Sequence, residues 1–423
     1  MASSIVIIGA GASGLMAARR LSAAGYLVSV LEAAARPGGR IHTLETGDFS
    51  THVEGGAEFI HGELPISLGL AKEAGIRLHP VHGQMTRLQQ GHDLKAEGND
   101  FMDKDWGKLM QEMERLEDDL PIADFMQTRF PGAEYKDLRE SVRKFAEGYD
   151  LADLHRVSTR ALYEEWAREG DDEEYRPEGG YKALIDYLVD ECREHGCRFY
   201  FSSPVTRTAW EEGRAVVYTT DGTAFSADKV IVTASLGVLA ADSLEFSPAI
   251  PDRLEAARKL GYGTVIKILM EFAAPFWNSG DQTLFVISDE AVPTWWTQSS
   301  SASRLLTGWL SGDRMRAFQQ MDKTERLAAC IRSLAAIFNR KESFIAEQLT
   351  ASLILDWAAA PSILGGYSFD TVHAAAARAI LAEPVAKTIW FAGEALYQGI
   401  APGTVEAAFN SGMEVAERII AQS

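Results

Sequence analysis

Ile5-Val6-Ile7-Ile8-Gly9-Ala10-Gly11-Ala12-Ser13-Gly14 decides the fold. Four consecutive β-branched residues suit a strand buried on both faces, as in a parallel sheet. Glycines follow at 9, 11 and 14, then an Ala/Leu/Met-rich helix that Gly25 stops. Gly9 permits a sharp turn, Gly11 lets the backbone approach a pyrophosphate, and Gly14 lets helix and strand pack closely. The helix N-terminus, with Ser13 in its first turn, offers free N–H groups and partial positive charge to phosphates. A second strand, Leu27 to Leu31, ends at Glu32, 21 residues after Gly11. An acid there takes a ribose hydroxyl pair. The stretch therefore predicts dinucleotide binding, with NAD and FAD both open at this point.

The chain has 423 residues, 46% hydrophobic and 24% charged, with a formal net charge of −19. That length allows two or three domains. The acidity argues against nucleic acid, whose phosphates demand a basic surface, and suits cationic substrates or simple solubility. Cys192, Cys197 and Cys330 have no regular spacing, so no disulfide framework or zinc site is expected, and a reducing, cytoplasmic location is favoured. No targeting segment and no membrane-spanning run are expected. Oligomeric state stays open, a homo-oligomer included.

From Pro65 to Gly179 the chain turns charged and helical, with acidic clusters at Glu112 to Asp119 and Glu164 to Glu178 read as solvated faces. Gly179-Gly180 opens a helix from Tyr181 to His195. Short strands follow: Arg198 to Phe201, Val205 to Trp210, Ala215 to Thr220 with a hairpin at Asp221-Gly222, and Lys229 to Thr233. Antiparallel strands are expected from Tyr262 to Trp309, an amphipathic helix from Asp322 to Phe338, strands at Ser352 to Trp357 and Thr388 to Phe391, and a last helix from Thr404 to Ile420. Nucleotide-type motifs return at the C-terminus after an unlike insertion. This predicts interleaved domains in an α/β fold: 1–65, 179–255 and 353–423 as a discontinuous Rossmann-like, glutathione-reductase-type domain, 66–178 and 256–352 as an α+β substrate domain with a helical insertion.

Five further segments carry chemistry. Arg36-Pro37-Gly38-Gly39-Arg40 puts a glycine pair and a phosphate-neutralising Arg40 after Glu32. Glu54-Gly55-Gly56-Ala57-Glu58-Phe59-Ile60-His61-Gly62 comes next. In Gly263-Thr264-Val265-Ile266-Lys267, alternation sets Lys267 on one face with Val265, Leu269 and Glu271. On alternation alone Lys267 reads as snorkelling from a half-exposed strand or pairing with Glu271. Trp357 with Gly365-Gly366-Tyr367-Ser368, and Phe391-Ala392-Gly393-Glu394 with Pro402-Gly403-Thr404-Val405-Glu406, complete the set. Read alone, Trp357 and Tyr367 could be core aromatics.

Together these segments resemble the flavin-containing amine oxidase family, of the monoamine and polyamine oxidase kind. The family carries an arginine where this chain has Ala34, so one cofactor contact is missing. The resemblance implies non-covalent FAD, since no cysteine lies near Tyr367. It assigns Gly9, Gly11, Ser13, Gly14, Glu32, Gly38, Gly39, Arg40, Gly56, Ala57, Glu58, Phe59, Val205, Trp357, Gly393, Glu394, Gly403, Thr404 and Val405 to the cofactor. Lys267, Tyr367, Trp357 and His61 become the catalytic candidates, Lys267 holding a water at the reactive flavin nitrogen and Tyr367 forming one wall of an aromatic slot. The facing loop offers Ile400, Ala401, Gly403 and Thr404, so the slot is expected to be one-sided. Glu58 is a candidate for a substrate ammonium. His61 reads equally as a loop histidine bonding backbone, and Thr404 as an ordinary helix cap. The implied reaction is oxidation of a small amine or polyamine to an imine by FAD and oxygen, releasing hydrogen peroxide and an aldehyde or ketone. A desolvated aromatic pocket favours the neutral amine this requires. The alternatives are an L-amino-acid oxidase using Arg304 or Arg87 for the carboxylate, a desaturase or porphyrinogen-type oxidase, and an idle FAD-binding scaffold. No metal site is expected.

Overall fold

In a computed structural model, which describes residues 3–81, 83–87, 104–168, 173–277, 282–298 and 303–422, the opening run lies at the centre of a five-stranded sheet. Its order is Ile389–Phe391, Lys229–Val232, Ser4–Ile8, Leu27–Leu31, Arg198–Tyr200, and every neighbouring pair is parallel. A central strand with covered faces explains the unbroken apolar run. Ile5 and Ile7 join a core with the helices Ala12–Ala23, Lys182–Glu194 and Val405–Ala421. Val6 and Ile8 face a second core with the helices Pro251–Lys259 and Ala374–Ala382.

Two close approaches fix the glycine-loop helix. A Cβ on Gly14 would stand 2.1 Å from the Gly9 carbonyl oxygen, and one on Gly412 would stand 2.1 Å from that of Ser13. Helix meets strand and C-terminal helix meets first helix at distances only glycine permits.

A six-stranded sheet runs Leu349–Asp356, Val265–Phe272, Leu305–Ser311, Thr294–Thr297, Thr283–Ile287, Gly83–Arg87, antiparallel until its last, parallel pair. One face, with Ile266, Ile268, Met270, Leu306, Leu310 and Trp295, packs under the helix Lys323–Ile337. That helix carries the capping box Asp322/Glu325. The hairpin at Asp221-Gly222 joins Arg214–Thr219 to Ala224–Ala227, with Gly222 at φ +83.

Among the described residues, the stretch expected to be helical holds four α-helices, Trp106–Glu114, Ile122–Arg129, Lys136–Gly148 and Thr159–Trp166, around one core. It also contributes the helix Pro65–Glu73 and three strands that the sequence did not announce: Leu78–Val81, Gly83–Arg87 and Glu174–Pro177. They are short, and their partners lie far away in sequence, so no local periodicity reveals them. Part of the second acidic cluster lies outside the described residues.

Candidate active site

One cavity of about 2040 Å³ runs from Gly9 and Glu32 past Arg40 and Gly56 to Lys267, Trp296 and Tyr367. Sites for drug-sized ligands reach about 1,000 Å³. This volume accommodates an extended dinucleotide with a small molecule beyond it. Of the residues singled out above as cofactor-binding or catalytic, all but Gly14 line it; Gly14 packs against the Gly9 carbonyl instead.

The dinucleotide end fits a pyrophosphate on three observations. Among the described residues, no side chain caps the helix Ala12–Ala23, so its first N–H groups remain for a ligand. The buried hydroxyl oxygen of Ser13 has no hydrogen-bond partner among the described residues. A Cβ on Gly11 would meet nothing nearer than the Gly38 carbonyl, 4.0 Å away, so the missing side chain leaves room on the cavity side. Glu32 accepts from the N–H groups of Ala10 and Ala34 at 2.7 and 2.8 Å. Burial raises its pKa, against these donors. Arg36, passed over in the sequence, builds the glycine-pair turn by donating to the carbonyls of Pro37, Gly39 and Ile41.

Several expected cofactor groups already have protein partners. Arg40 donates to the Gly366 carbonyl at 2.7 Å and to Glu394 Oε1 at 2.8 Å. Ser368 Oγ donates to Glu394 Oε2 at 2.5 Å. A carboxylate has further lone pairs and a guanidinium further N–H groups, so both keep capacity toward the cavity. Thr404 caps the helix Val405–Ala421, accepting from the Ala407 N–H and donating to the Ala401 carbonyl. Gly56 serves close packing: a Cβ there would lie 1.8 Å from the Arg40 carbonyl oxygen.

The far end is built on the six-stranded sheet. Residues directly opposite one another share a face. Lys267 pairs across with Trp309 and Leu355, and Leu269 with Thr307, which faces Trp296, which faces Phe285. One face therefore presents Lys267, Trp309, Trp296 and Phe285 to the cavity. The three aromatics were not foreseen, because cross-strand register is invisible within one strand.

Lys267 does not snorkel, and it does not pair with Glu271. All eight residues of Val265–Phe272 are buried. Lys267 Nζ donates to Glu58 Oε2 at 2.8 Å and to the Gly56 carbonyl at 2.9 Å, 5.5 Å from the Trp296 ring centroid. Glu271 instead accepts from Ser50. Glu58 also accepts from Arg176 at 2.9 Å, from Trp296 Nε1 at 3.1 Å and from Gln298 at 3.1 Å. Burial would raise the Glu58 pKa, but Lys267 and Arg176 outweigh it and hold it at about 2. A carboxylate facing two cations has no charge to spare, so Glu58 is not the substrate-ammonium site. Nearby Glu54 is pushed up to about 7, chiefly by burial, against the Tyr181 N–H, Lys267 and Thr43. Burial and then Arg36 lower His42 to about 4, leaving it neutral.

Tyr367 lies nearly parallel to Trp309, centroids 6.5 Å apart at 28°. Its hydroxyl donates to the Tyr149 carbonyl. Trp357 donates to the Gly55 carbonyl at 3.0 Å and meets His42 edge-on. A Cβ on Gly403 (φ +70) would stand 3.1 Å from the Tyr367 ring. Tyr397, the aromatic of the facing loop, folds against Gly399 and also lines the cavity. His61 bonds a carboxylate and not backbone: Nδ1 lies 2.8 Å from Glu174 Oε1. Next to Tyr367 the wall carries Asp150, Glu165 and Asp370. Glu165 hydrogen-bonds Asp150, and burial followed by the charge of Asp370 raises it to about 7.

Arg304 pairs with Glu271 at 3.7 Å and is not among the lining residues; the side chain of Arg87 lies outside the described residues. Among the described residues, no helix is long and apolar enough to cross a membrane, and no His/Cys/Asp/Glu group could hold a metal ion. The three cysteines are buried and free.

With this geometry in place, comparison with known proteins is informative. The model of the family described as flavin containing amine oxidoreductase matches residues 12–420. Lysine-specific histone demethylase 1 homolog 2 of Oryza sativa subsp. japonica is 29% identical, the match covering 99% of this chain and 57% of that protein. Lysine-specific histone demethylase 2 of Homo sapiens is 27% identical, with 99% and 53% covered. The chain thus spans little more than half the length of these relatives. Polyamine oxidase 4 of Oryza sativa subsp. japonica is 27% identical, with 98% and 88% covered. Among solved structures, putrescine oxidase bound to putrescine superposes with a TM-score of 0.83 at 21% identity, covering 100% of this chain and 99% of that one. At that identity the likeness speaks to the fold.

Proposed function

The chain belongs to the family of flavin containing amine oxidoreductases, and from that premise we propose that it holds FAD non-covalently and oxidises a primary or secondary amine to an imine. The acceptor is oxygen, and the products are hydrogen peroxide and, after imine hydrolysis, an aldehyde or ketone. The substrate class is a small amine or polyamine. The observation that carries this reading is a single cavity wall. Lys267 and Tyr367, 100 residues apart in sequence, both line the same cavity as Gly11 and Glu32, and Trp309 links them as cross-strand partner of one and ring neighbour of the other.

FAD bound there would supply the two-electron acceptor for the carbon–nitrogen bond and the route of the electrons to oxygen. Gly11, Ser13, Glu32 and Arg40 would hold its phosphates and ribose; Gly56, Ala57, Trp357 and Glu394 would lie along the rest. Trp296, Trp309, Phe285 and Tyr367 displace water and favour the uncharged amine, which alone can yield its electrons. Lys267, anchored by Glu58 and Gly56, has a third N–H for a water or the acceptor. Asp150 and Glu165 favour a substrate with a second positive charge; Asp370 is neutralised by Arg378. Each arginine among the described lining residues already has a partner: Arg36 in carbonyls, Arg40 in Glu394, Arg168 in Glu164, Arg378 in Asp370. That disfavours an amino-acid carboxylate. Buried free thiols suit a reducing, cytoplasmic setting.

The test is peroxide release from the purified yellow protein across mono-, di- and polyamines, alongside Lys267→Met. Loss of one fixed donor costs on the order of a hundredfold where such a donor serves the chemistry. Turnover unaffected by Lys267→Met would favour the desaturase-type alternative, which needs no lysine.

A further inference from the structure

We propose that Glu174 is a positioning residue that fixes the tautomer of His61, so that Nε2 carries the lone pair that takes the substrate's proton. This rests on the amine-oxidation reading above. The strands Ile60–His61 and Glu174–Pro177 pair antiparallel, and His61 stands directly opposite Glu174. Opposed residues project to the same side. That register brings Nδ1 to 2.8 Å from Glu174 Oε1. Both side chains line the cavity, with the Phe59 ring 5.8 Å from the imidazole.

The tautomer follows from donor and acceptor chemistry. An ionised carboxylate can only accept, so the Nδ1 facing it must carry the hydrogen. In the neutral ring the hydrogen is then absent from Nε2, which keeps its lone pair. An amine that arrives as an ammonium must lose a proton before it can be oxidised. In the step proposed, one ammonium N–H bond breaks and an Nε2–H bond forms. The electron pair stays on the substrate nitrogen, and the positive charge moves to an imidazolium facing Glu174. His61 is 39% and Glu174 32% exposed, so the proton can pass on to solvent. A carboxylate orienting the base is the same logic as in the hydrolase triad.

The measurement is long-range ¹H–¹⁵N correlation on histidine-labelled holoenzyme, with the His61 signals identified by their loss in His61→Ala. The expected wild-type pattern is a protonated Nδ1 and an unprotonated Nε2, changing to mixed or reversed tautomers in Glu174→Ala and in the milder Glu174→Gln. Anaerobic mixing with putrescine supplies the second readout. Flavin bleaching is expected to slow about tenfold or more in Glu174→Ala, while adding Glu174→Ala to His61→Ala costs nothing further. An unchanged tautomer in both Glu174 variants, or losses that multiply in the double variant, would overturn the proposal. Absence of bleaching by any amine in the wild type defeats the amine-oxidation reading instead, and the tautomer result then still decides what Glu174 does to His61.

Discussion

The ammonium nitrogen of Lys267 lies 2.8 Å from Glu58 Oε2, with the two side chains only 1% and 3% exposed. The contact joins the sheet strand Val265–Phe272 to the loop between Val53–Glu54 and Ile60–His61. Removing one member of a buried ion pair leaves the other charged and uncompensated, at a cost of about 3 kcal/mol or more. Glu58→Gln is therefore expected to lower unfolding free energy by about that amount, read from denaturant midpoints. With Lys267→Met in the same chain, the combined loss should fall short of the sum by about 1 kcal/mol. Additive losses would show that the pair is not coupled. Since the folded carboxyl titrates near 2, below the usual value, its stabilisation is present at neutral pH and fades as pH falls from about 4.5 toward 2.

Gly11 and Gly14 should respond in opposite ways to alanine. At Gly14 the added Cβ would meet the Gly9 carbonyl oxygen at 2.1 Å, so Gly14→Ala should destabilise the fold. At Gly11 it would meet only the Gly38 carbonyl at 4.0 Å, so Gly11→Ala should keep the fold, seen as unchanged far-ultraviolet circular dichroism and a denaturant midpoint equal to that of the flavin-free parent, and lose flavin, seen as loss of the yellow colour. A Gly11→Ala protein that purifies fully yellow would place the pyrophosphate elsewhere.

Glu54 gives a pH signature of opposite sign. Its folded pKa, about 7, lies above its ordinary value. Unfolding then releases a proton between about 4.5 and 7, so this group's contribution falls as pH rises through that window and is level above it. The full swing is on the order of 3 kcal/mol. Glu54→Gln keeps an acceptor for the Tyr181 N–H, which lies 2.8 Å from the carboxylate. Its stability relative to the parent should rise from pH 4.5 to 7. Parallel curves for the two proteins would show that Glu54 titrates normally.

The part of the site legible in sequence is the part built by local backbone. Gly9, Gly11, Gly14 and Glu32 sit at fixed offsets on one strand–turn–helix–strand unit, so the residues alone imply their geometry. Alternation puts Lys267 on the correct strand face, but the partner it suggests, Glu271, lies four residues along the same strand, whereas the partner in the structure is Glu58. Glu58, Arg176, Trp296 and Gln298 converge from three separated segments, and nothing in any one of them encodes the meeting. Glu174 is 113 residues from His61 and belongs to a strand too short to show a period. Trp309 needed the register of Leu305–Ser311 against Val265–Phe272, which is a property of the sheet. Arg36 could have been suspected, since an arginine before a Pro-Gly-Gly turn is well placed to bond the turn's carbonyls.

The most direct test is anaerobic titration of the purified protein with putrescine and spermidine while the flavin absorbance is followed. The account predicts a yellow protein that bleaches on addition of amine and recovers its colour with release of hydrogen peroxide when oxygen is admitted. A protein that retains its flavin and stays oxidised with every amine, or one that comes out colourless and takes up no added FAD, would contradict it.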